Sequence, residues 1–468
     1  MKYAALVPEA LVVAAAVALL LGARWRLPAY RRYRTRLPAV VAVVLLIALG
    51  VELWAGAAVA TYFSGGLVLD RFALFVKAAA LLAALVAIGA ADWAAEDSPS
   101  ISLAMPLLAV FGVMVAASAG DVVVLWAGLE LAGVAGVATL ALRRPDLGLR
   151  LLLLGTTASA LMLLGLAYVY ATAGTADLGG IRQALASSAP TLPLAIPVLL
   201  VVGALALRAS FTPLQLAGPA GWQASPVSNG LLAGIVAAAA LVAAIKITAA
   251  VGPVSGVFAS YLEVISALLM LGGGAAALGV RSPRARAGLI AACQLGWILA
   301  GLATHYRVGT ASAVFLLGAF VIAATAAPAV MGTLGTAEVA LTGLGSLRPH
   351  RAAAIAIALL SLAGAPPFAG FFGEFAVGAA LAQSRHLELL AAGLVGSTLS
   401  LIAAIGTVRV LYLQNPIEET RRGAPLPIWT RLSAAGAVAL CALIAAYSLF
   451  ASPILSLADQ GAEGLGLR

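Results

Sequence analysis

Five charged residues lie within long apolar stretches of the sequence, where they could carry protons. They are Glu130, Arg208, Lys246, Glu374 and Arg409. A charge at bilayer depth costs about 3 kcal/mol or more, so membrane segments seldom keep one without a role. Carboxyl and amine groups bind and release protons, and their proton affinity responds to neighbouring charges. The pattern predicts a buried proton path, with structural ion pairing as the alternative role for each residue.

Lysine and arginine are used differently in this chain. Of the three lysines, Lys2 is terminal, whereas Lys77 and Lys246 both fall inside apolar segments. A buried lysine releases its proton readily, whereas arginine stays charged. We therefore expect Lys246 to carry protons, and Arg208 to be either a fixed charge that biases a neighbour or a member of a static salt bridge. Arg409 lies near one end of its segment, where it can also snorkel to the surface.

The remaining charges within the apolar segments have less definite roles. Lys77 and Glu263 are equally compatible with function and with structural pairing. Glu9 is expected to be structural, and Glu52 is expected to be solvated near the outer interface. The sequence contains no CxxC, HExxH or P-loop motif, so no enzyme or cofactor site is predicted.

The elements that hold these residues are membrane helices. The chain has 468 residues, of which 63% are hydrophobic and 10% charged, and its mean hydropathy is +1.09. This composition indicates an all-α polytopic membrane protein rather than a nucleic-acid-binding one. The first apolar run is read as a retained helix rather than a signal peptide, because Glu9 interrupts it. We predict about fourteen spans, at 4–23, 37–57, 72–91, 101–119, 121–142, 149–173, 192–216, 227–251, 256–280, 286–304, 308–333, 352–382, 387–415 and 432–457.

The loops between these spans test their number. Loops that follow odd-numbered spans hold seventeen arginines, whereas loops that follow even-numbered spans hold four. Short cytoplasmic loops are enriched in Lys and Arg. This alternation predicts cytoplasmic odd loops and places both termini outside.

Two predicted spans are interrupted in similar ways. The seventh contains SFTP at 210–213 and the twelfth contains SLAGAPP at 361–367, and each is fourth in a group of five helices. An odd number of helices reverses the orientation of the second group, which predicts an inverted-topology repeat. The corresponding division is an N-terminal three-helix segment at 1–100, a first repeat at 101–251, a second repeat at 252–415, and a cytoplasmic loop with helix 14 at 416–468.

Several motifs along most of the chain resemble one known family. They are VPEALVV at 7–13, VLDRFALFVKAAALL at 68–82, ASAGDVVVLWAGLELAGV at 117–134, ATAGTADLGGI at 171–181, LSLAGAPPFAGFFGEF at 360–375 and VRVLYL at 408–413. Their sequence and order are similar to those of the antiporter-like membrane subunits of NADH-quinone oxidoreductase (respiratory complex I), in particular the N-type subunits. The sequence stops soon after the fourteenth span, so we expect no long lateral helix of the L-type kind.

The resemblance implies roles for individual residues. Glu130 matches the essential glutamate of the fifth helix, and Lys246 matches the lysine of the eighth. Arg208 stands where the family normally has lysine. Glu374 stands where N-type subunits have lysine and M-type subunits have glutamate, and Gln294 replaces a frequent histidine. Since arginine cannot cycle its proton, the Glu130–Arg208 pair is expected to act as a locked switch while Lys246 and Glu374 exchange protons.

The resemblance also implies a setting in the bacterial inner (cytoplasmic) membrane. There the chain would move protons together with other membrane subunits of complex I, driven by quinone reduction elsewhere. No cofactor is expected in this chain, because quinone, NADH, flavin and iron–sulfur clusters are expected on partner subunits. The alternatives are a subunit of a multisubunit cation/proton antiporter or membrane-bound hydrogenase, and a non-pumping structural subunit. An unrelated secondary carrier or lipid flippase is disfavoured, because the buried polar groups are few and mostly ionic.

Overall fold

A computed structural model of the chain describes residues 4–25, 36–55, 59–90, 99–142, 145–186, 195–208, 232–252, 255–332, 341–416 and 429–465. Within these ranges the chain is almost entirely helical, with one two-stranded antiparallel hairpin. The predicted interruption of the seventh span at 210–213 lies outside the described residues. The predicted fold class, an all-α polytopic membrane protein, is confirmed.

The N-terminal segment contains three long helices and the hairpin. The helices are α1 (Val7–Trp25), α2 (Leu37–Ala55) and α3 (Arg71–Ala90), and the strands between α2 and α3 are β1 (Ala60–Tyr62) and β2 (Leu67–Leu69). Asp70 begins α3 by accepting a hydrogen bond from the backbone N–H of Ala73 at 2.7 Å. This cap fixes the end of α3 beside the region that holds Lys246.

The next group of helices contains most of the predicted path residues. It comprises α4 (Pro99–Ser118), α5 (Val122–Ala141), α6 (Pro145–Ala173), the short α7 (Leu178–Ala186), α8 (Ala195–Arg208) and α9 (Ala237–Val251), which follows a π-helical turn at Leu232–Val236. Helices α4 and α5 approach closely at Gly112 and Gly128. A Cβ atom on either glycine would lie within 2.8 Å of the backbone of the other helix. Small residues therefore set the α4–α5 spacing, as is common in membrane helix pairs.

The second half of the chain is organised around one buried helix. Its elements are α10 (Ser255–Gly279), α11 (Pro283–Ala303), α12 (Arg307–Gly332), α13 (Leu344–Leu347), α14 (Pro349–Leu362), α15 (Ala369–Gln383) and α16 (Leu387–Tyr412). Every residue of α12 from Gly309 to Met331 is buried, as is nearly every residue of the span that includes α9. These two helices have no lipid-facing surface of their own, so polar groups on them face protein.

The predicted interruption of the twelfth span is confirmed. Helix α14 ends at Leu362 and α15 begins at Ala369, with Gly364 in the left-handed region at φ +69° between them. A Cβ atom on Gly364 would collide with the carboxylate of Glu374. The break therefore requires a glycine at this position and brings backbone against the side chain of Glu374.

The prediction of one continuous fourteenth span at 432–457 was wrong. The structure has two helices, α17 (Trp429–Leu449) and α18 (Ala451–Gly464), bent by 76° at Phe450. The sequence from Ala458 to Gly464 is polar, so it cannot lie in the hydrocarbon core. Pro453 in the first turn of α18 suits the start of a new helix rather than the middle of a continuing one.

Eleven helices in the described part of the chain are long and apolar enough to cross a membrane, or twelve if the bent pair α17 and α18 counts as one span. The predicted total of fourteen and the inverted repeat remain predictions.

Candidate functional site in the membrane

Glu130 and Arg208 form an ion pair between two helices. Glu130 lies on α5, whose first turn is capped by Asp121 through the backbone N–H groups of Val123 and Val124 at 2.8 and 2.7 Å. The guanidinium of Arg208, at the described end of α8, binds the Glu130 carboxylate. The exposed fraction is 7% for the arginine side chain and 23% for the glutamate side chain. The two residues that the sequence separates by 78 positions are thus joined in one site.

A third helix completes this ion pair. The hydroxyl of Ser159 on α6 lies 2.7 and 2.8 Å from the two carboxylate oxygens of Glu130, and Arg208 donates a hydrogen bond to the same hydroxyl. Arg208 also donates to the carbonyl oxygen of Leu129 at 3.3 Å. Gly133, one turn beyond Glu130, makes room for the guanidinium, because a Cβ atom there would lie 2.7 Å from Nη1. The arginine is therefore fixed by carboxylate, hydroxyl and carbonyl groups at once.

Lys246 lies apart from this ion pair, on the buried helix α9. Its ammonium group donates to the carbonyl oxygen of Ala119 at 2.6 Å, at the corner between α4 and α5. The same nitrogen lies 5.6 Å from the centre of the Phe72 ring on α3. No salt bridge joins Lys246 to an acid among the described residues. The cation is held by a neutral carbonyl and an aromatic face, and the carbonyl can still accept a hydrogen bond from the amine after it loses a proton.

Glu374 occupies a comparable position in the second half of the chain. It lies on α15 next to the break, is buried, and accepts a hydrogen bond from the hydroxyl of Ser397 on α16 at 2.7 Å. Ser397 in turn accepts one from the indole N–H of Trp297 on α11 at 2.7 Å. In the part of the chain that the structure describes, no Lys or Arg forms a salt bridge with Glu374. A neutral indole thus supplies the donor that Arg208 supplies in the first half.

Gln294 supports the break in the twelfth span. Its side-chain nitrogen donates to the backbone carbonyl of Ser361 at 3.2 Å, and the hydroxyl of Ser361 accepts from the backbone N–H of Gly370 at 3.3 Å. These contacts satisfy backbone groups that the interruption releases inside the protein. The glutamine therefore has a structural task at the position where the resemblance led us to consider a histidine.

Arg409 does not join either group. Its side chain is exposed on α16, and no salt bridge to it is present within the described ranges. Of the five residues predicted to form the path, the structure brings only Glu130 and Arg208 into direct contact. Sequence reasoning missed Ser159, Ser397 and Trp297, which are common residue types whose roles become visible only in their contacts.

One sequence expectation about Glu52 was wrong. We expected this carboxylate to be solvated at the outer interface, but its residue is only 3% exposed. It lies 3.7 Å from the ammonium nitrogen of Lys77, which also pairs with Glu9 at 2.5 Å. The error arose because the sequence does not show that α2 packs between α1 and α3, which places Glu52 beside Lys77.

Comparisons with known proteins agree on the relationship. Residues 119–400 match the family model described as NADH:quinone oxidoreductase/Mrp antiporter, TM. The chain is 30% identical to NADH-quinone oxidoreductase subunit N of Granulibacter bethesdensis, over 86% of this chain and 87% of that one. It is 32% identical to the subunit N of Cereibacter sphaeroides, over 94% and 96% of the two chains.

Solved structures share the fold over almost the whole length. A chain of respiratory complex I from Thermus thermophilus matches with a TM-score of 0.80 and 24% identity, covering 97% of this chain and 99% of that one. A chain of the Mrp complex from a Dietzia species matches with a TM-score of 0.82 and 20% identity, covering 99% of this chain and 97% of that one. A chain of an archaeal membrane-bound sulfane sulfur reductase gives 0.85 and 19%, covering 99% and 98%.

Proposed function

Since the chain belongs to the NADH:quinone oxidoreductase/Mrp antiporter family of membrane subunits, we propose that it is a proton-translocating membrane-arm subunit of an NADH-quinone oxidoreductase. Protons move through its buried charged residues, and quinone reduction on other subunits supplies the driving force. The sequence relatives named as subunit N support this assignment because they match over most of both chains. The partners are the other membrane subunits of that complex, and the redox cofactors are bound by partner subunits rather than by this chain.

One observation carries the proposal. Lys246 and Glu374 are buried ionisable groups that form no salt bridge with a residue of opposite charge among the described residues. An unpaired charge in a low-dielectric interior is unfavourable, so such a group tends to become neutral by gaining or losing a proton. Each is nevertheless held by hydrogen bonds to neutral partners, Ala119 for the lysine and Ser397 for the glutamate. The two groups can therefore change protonation state without losing their positions.

Glu130 and Arg208 have a different task in this proposal. Their charges compensate each other, and Ser159 links both groups. Because arginine keeps its proton, the pair acts as a locked electrostatic element and does not carry protons in turn. Arg409 is assigned a surface role, since its side chain is exposed.

The proposed topology follows the arginine distribution. Both termini face the outside of a bacterial cytoplasmic membrane, and the segments 1–100, 101–251, 252–415 and 416–468 form the N-terminal three-helix unit, two inverted repeats and the C-terminal part. The close packing of α4 on α5 and the break between α14 and α15 fit this division.

A cation/proton antiporter subunit is the second candidate. The high structural similarity to a chain of the Mrp complex favours it, whereas the sequence relatives at 30% and 32% identity favour the oxidoreductase. Partner subunits decide between the two. Affinity purification from native membranes, followed by mass spectrometry, should recover quinone-reducing subunits; recovery of antiporter subunits alone would reject the first proposal.

Replacement of Lys246 tests the proton path directly. In the purified complex reconstituted into vesicles, we expect Lys246→Met to lower the number of protons pumped per electron while NADH oxidation continues. Thr248→Val is the matched control, since Thr248 is also buried on α9 and, among the described residues, its hydroxyl donates to the carbonyl oxygen of Ala244 in the same helix at 2.6 Å. An unchanged proton-to-electron ratio in K246M, or an equal loss in T248V, would contradict the proposal and favour a non-pumping structural subunit.

A further inference from the structure

Three charged side chains meet within the N-terminal three-helix unit, away from the proposed path residues. Lys77 of α3 lies between Glu9 of α1 and Glu52 of α2, with nitrogen–oxygen distances of 2.5 and 3.7 Å. The lysine side chain is fully buried, and the exposed fractions of the two carboxylate side chains are 11% and 4%. We call these three residues the N-terminal triad.

The triad carries one negative charge too many when all its groups are ionised. Two carboxylates face a single ammonium group, and the second carboxylate oxygen of each glutamate is buried without a hydrogen-bond partner in the described part of the chain. A buried excess charge is unfavourable, and the usual response is to bind a proton. A cation other than a proton would have to enter beside the ammonium group of Lys77, which repels it.

Among the described residues, Lys77 is the base that forms a salt bridge with the two acids of the triad. Helix α4, which packs against α1 and α3, contains no ionisable side chain. On the triad's own helices the other bases are Arg24, fifteen residues from Glu9 on α1, and Arg71, at the first residue of α3. At 1.5 Å per residue, these lie about 22 and 9 Å along the helix axes from the triad residues. Lys77 is thus the base that the two acids share.

The two carboxylates are not equivalent. Glu9 makes the short contact with Lys77 and compensates its charge, whereas Glu52 is more deeply buried and farther from an ammonium group that is already paired. We propose that the N-terminal triad is a proton-binding site in which Glu52 holds the proton. On release, the O–H bond of the Glu52 carboxyl breaks, the proton passes to a water molecule, and the triad changes from neutral to a charge of −1.

This charge change is placed to act on the proton path. Phe72 lies five residues before Lys77 on α3, and its ring faces the ammonium nitrogen of Lys246 at 5.6 Å. Lys77 contacts the triad acids and Phe72 contacts Lys246, so one stretch of α3 lies against both groups. A change in the charge of Glu52 alters the electrostatic field in this region, a coupling to Lys246 that rests on the proposed function, whereas the protonation itself does not.

Infrared difference spectroscopy of the purified complex tests the site by detecting protonated carboxyl groups. A protonated carboxyl has a C=O stretching band that shifts in deuterium oxide and disappears when the proton is lost. We expect this band in the spectrum of the wild type minus that of Glu52→Gln. We expect it to be lost in Glu9→Gln as well, because Lys77 then neutralises Glu52. Lys77→Met should instead strengthen the band, since both carboxyls then bind protons.

Glu463→Gln is the control, because this carboxylate is exposed on α18 and pairs with Arg307. It should leave the band unchanged. A band that persists in Glu52→Gln, or one that survives in Glu9→Gln, overturns the proposal. If K77M prevents assembly, the two glutamine variants still decide the matter, because they preserve side-chain shape. The pumping of K246M tests the proposed function and the band tests the triad, so the two proposals can fail independently.

Discussion

Removal of the Arg208 charge should destabilise the protein through Glu130 rather than through lost packing. Arg208→Met leaves a largely buried carboxylate with Ser159 as its remaining polar partner. Removing one member of a buried ion pair typically costs about 3–5 kcal/mol. Because 23% of the Glu130 side chain is exposed, we expect the lower end, about 3 kcal/mol. This corresponds to roughly a hundredfold change in the folding equilibrium constant.

The double variant gives the sharper test. Glu130→Gln alone leaves the guanidinium with a carbonyl and a hydroxyl, so it should also be costly. The variant with both changes contains no uncompensated charge, and replacement of a whole buried pair is often nearly neutral. We therefore expect a coupling free energy of at least about 2 kcal/mol between the two sites.

The assay is equilibrium unfolding of the purified chain in mixed micelles with increasing SDS, followed by tryptophan fluorescence. Trp126 lies one turn before Glu130 on α5 and reports on this helix. The control cycle uses Arg307 and Asp459, a partly exposed pair joined by two hydrogen bonds of 2.9 and 2.8 Å, in which we expect a coupling of at most about 1 kcal/mol. Coupling at the Glu130–Arg208 pair no larger than in this control would refute the assignment of a buried, locked pair.

Two further substitutions test the geometry of the path. Arg208→Lys introduces a group that can lose its proton. Proton pumping by the complex should therefore fall at alkaline pH, where Glu130 is left unpaired. A pH profile identical to that of the wild type would contradict the locked-pair role. Gly364→Ala forces a Cβ atom into the carboxylate of Glu374 and should reduce coupled turnover. Gly203 has open space around it, so the control Gly203→Ala should have no effect. Equal activity in both variants would show that the break does not position Glu374.

The sequence located the charged residues but not their contacts. A charge in an apolar run is conspicuous because burial is costly, so Glu130, Arg208, Lys246 and Glu374 could be selected without a structure. Ser159 and Ser397 could not, since serine is common in membrane helices and its hydroxyl bonds equally well to its own backbone. Only the packing of α6 and α16 against the glutamates distinguishes these two serines from the others.

The same limit explains the errors at Glu52 and at the fourteenth span. Because Glu52 lies near the end of an apolar run, its carboxylate was expected to be exposed to solvent. The neighbouring helices α1 and α3 instead bury it. The hydropathy of residues 432–457 suggested one helix. The backbone instead bends at Phe450, so the polar residues of α18 do not continue along the axis of α17.

Composition and apolar run length alone determine that this chain is a bundle of membrane helices, because the bilayer core excludes unpaired backbone groups and unpaired charges. The order of its motifs determines the family. The tertiary structure decides which charges compensate one another. It gives Glu130 an arginine, gives Lys77 two acids, and leaves Lys246 and Glu374 with neutral partners, because electrostatic pairing depends on distances between helices that are far apart in the sequence.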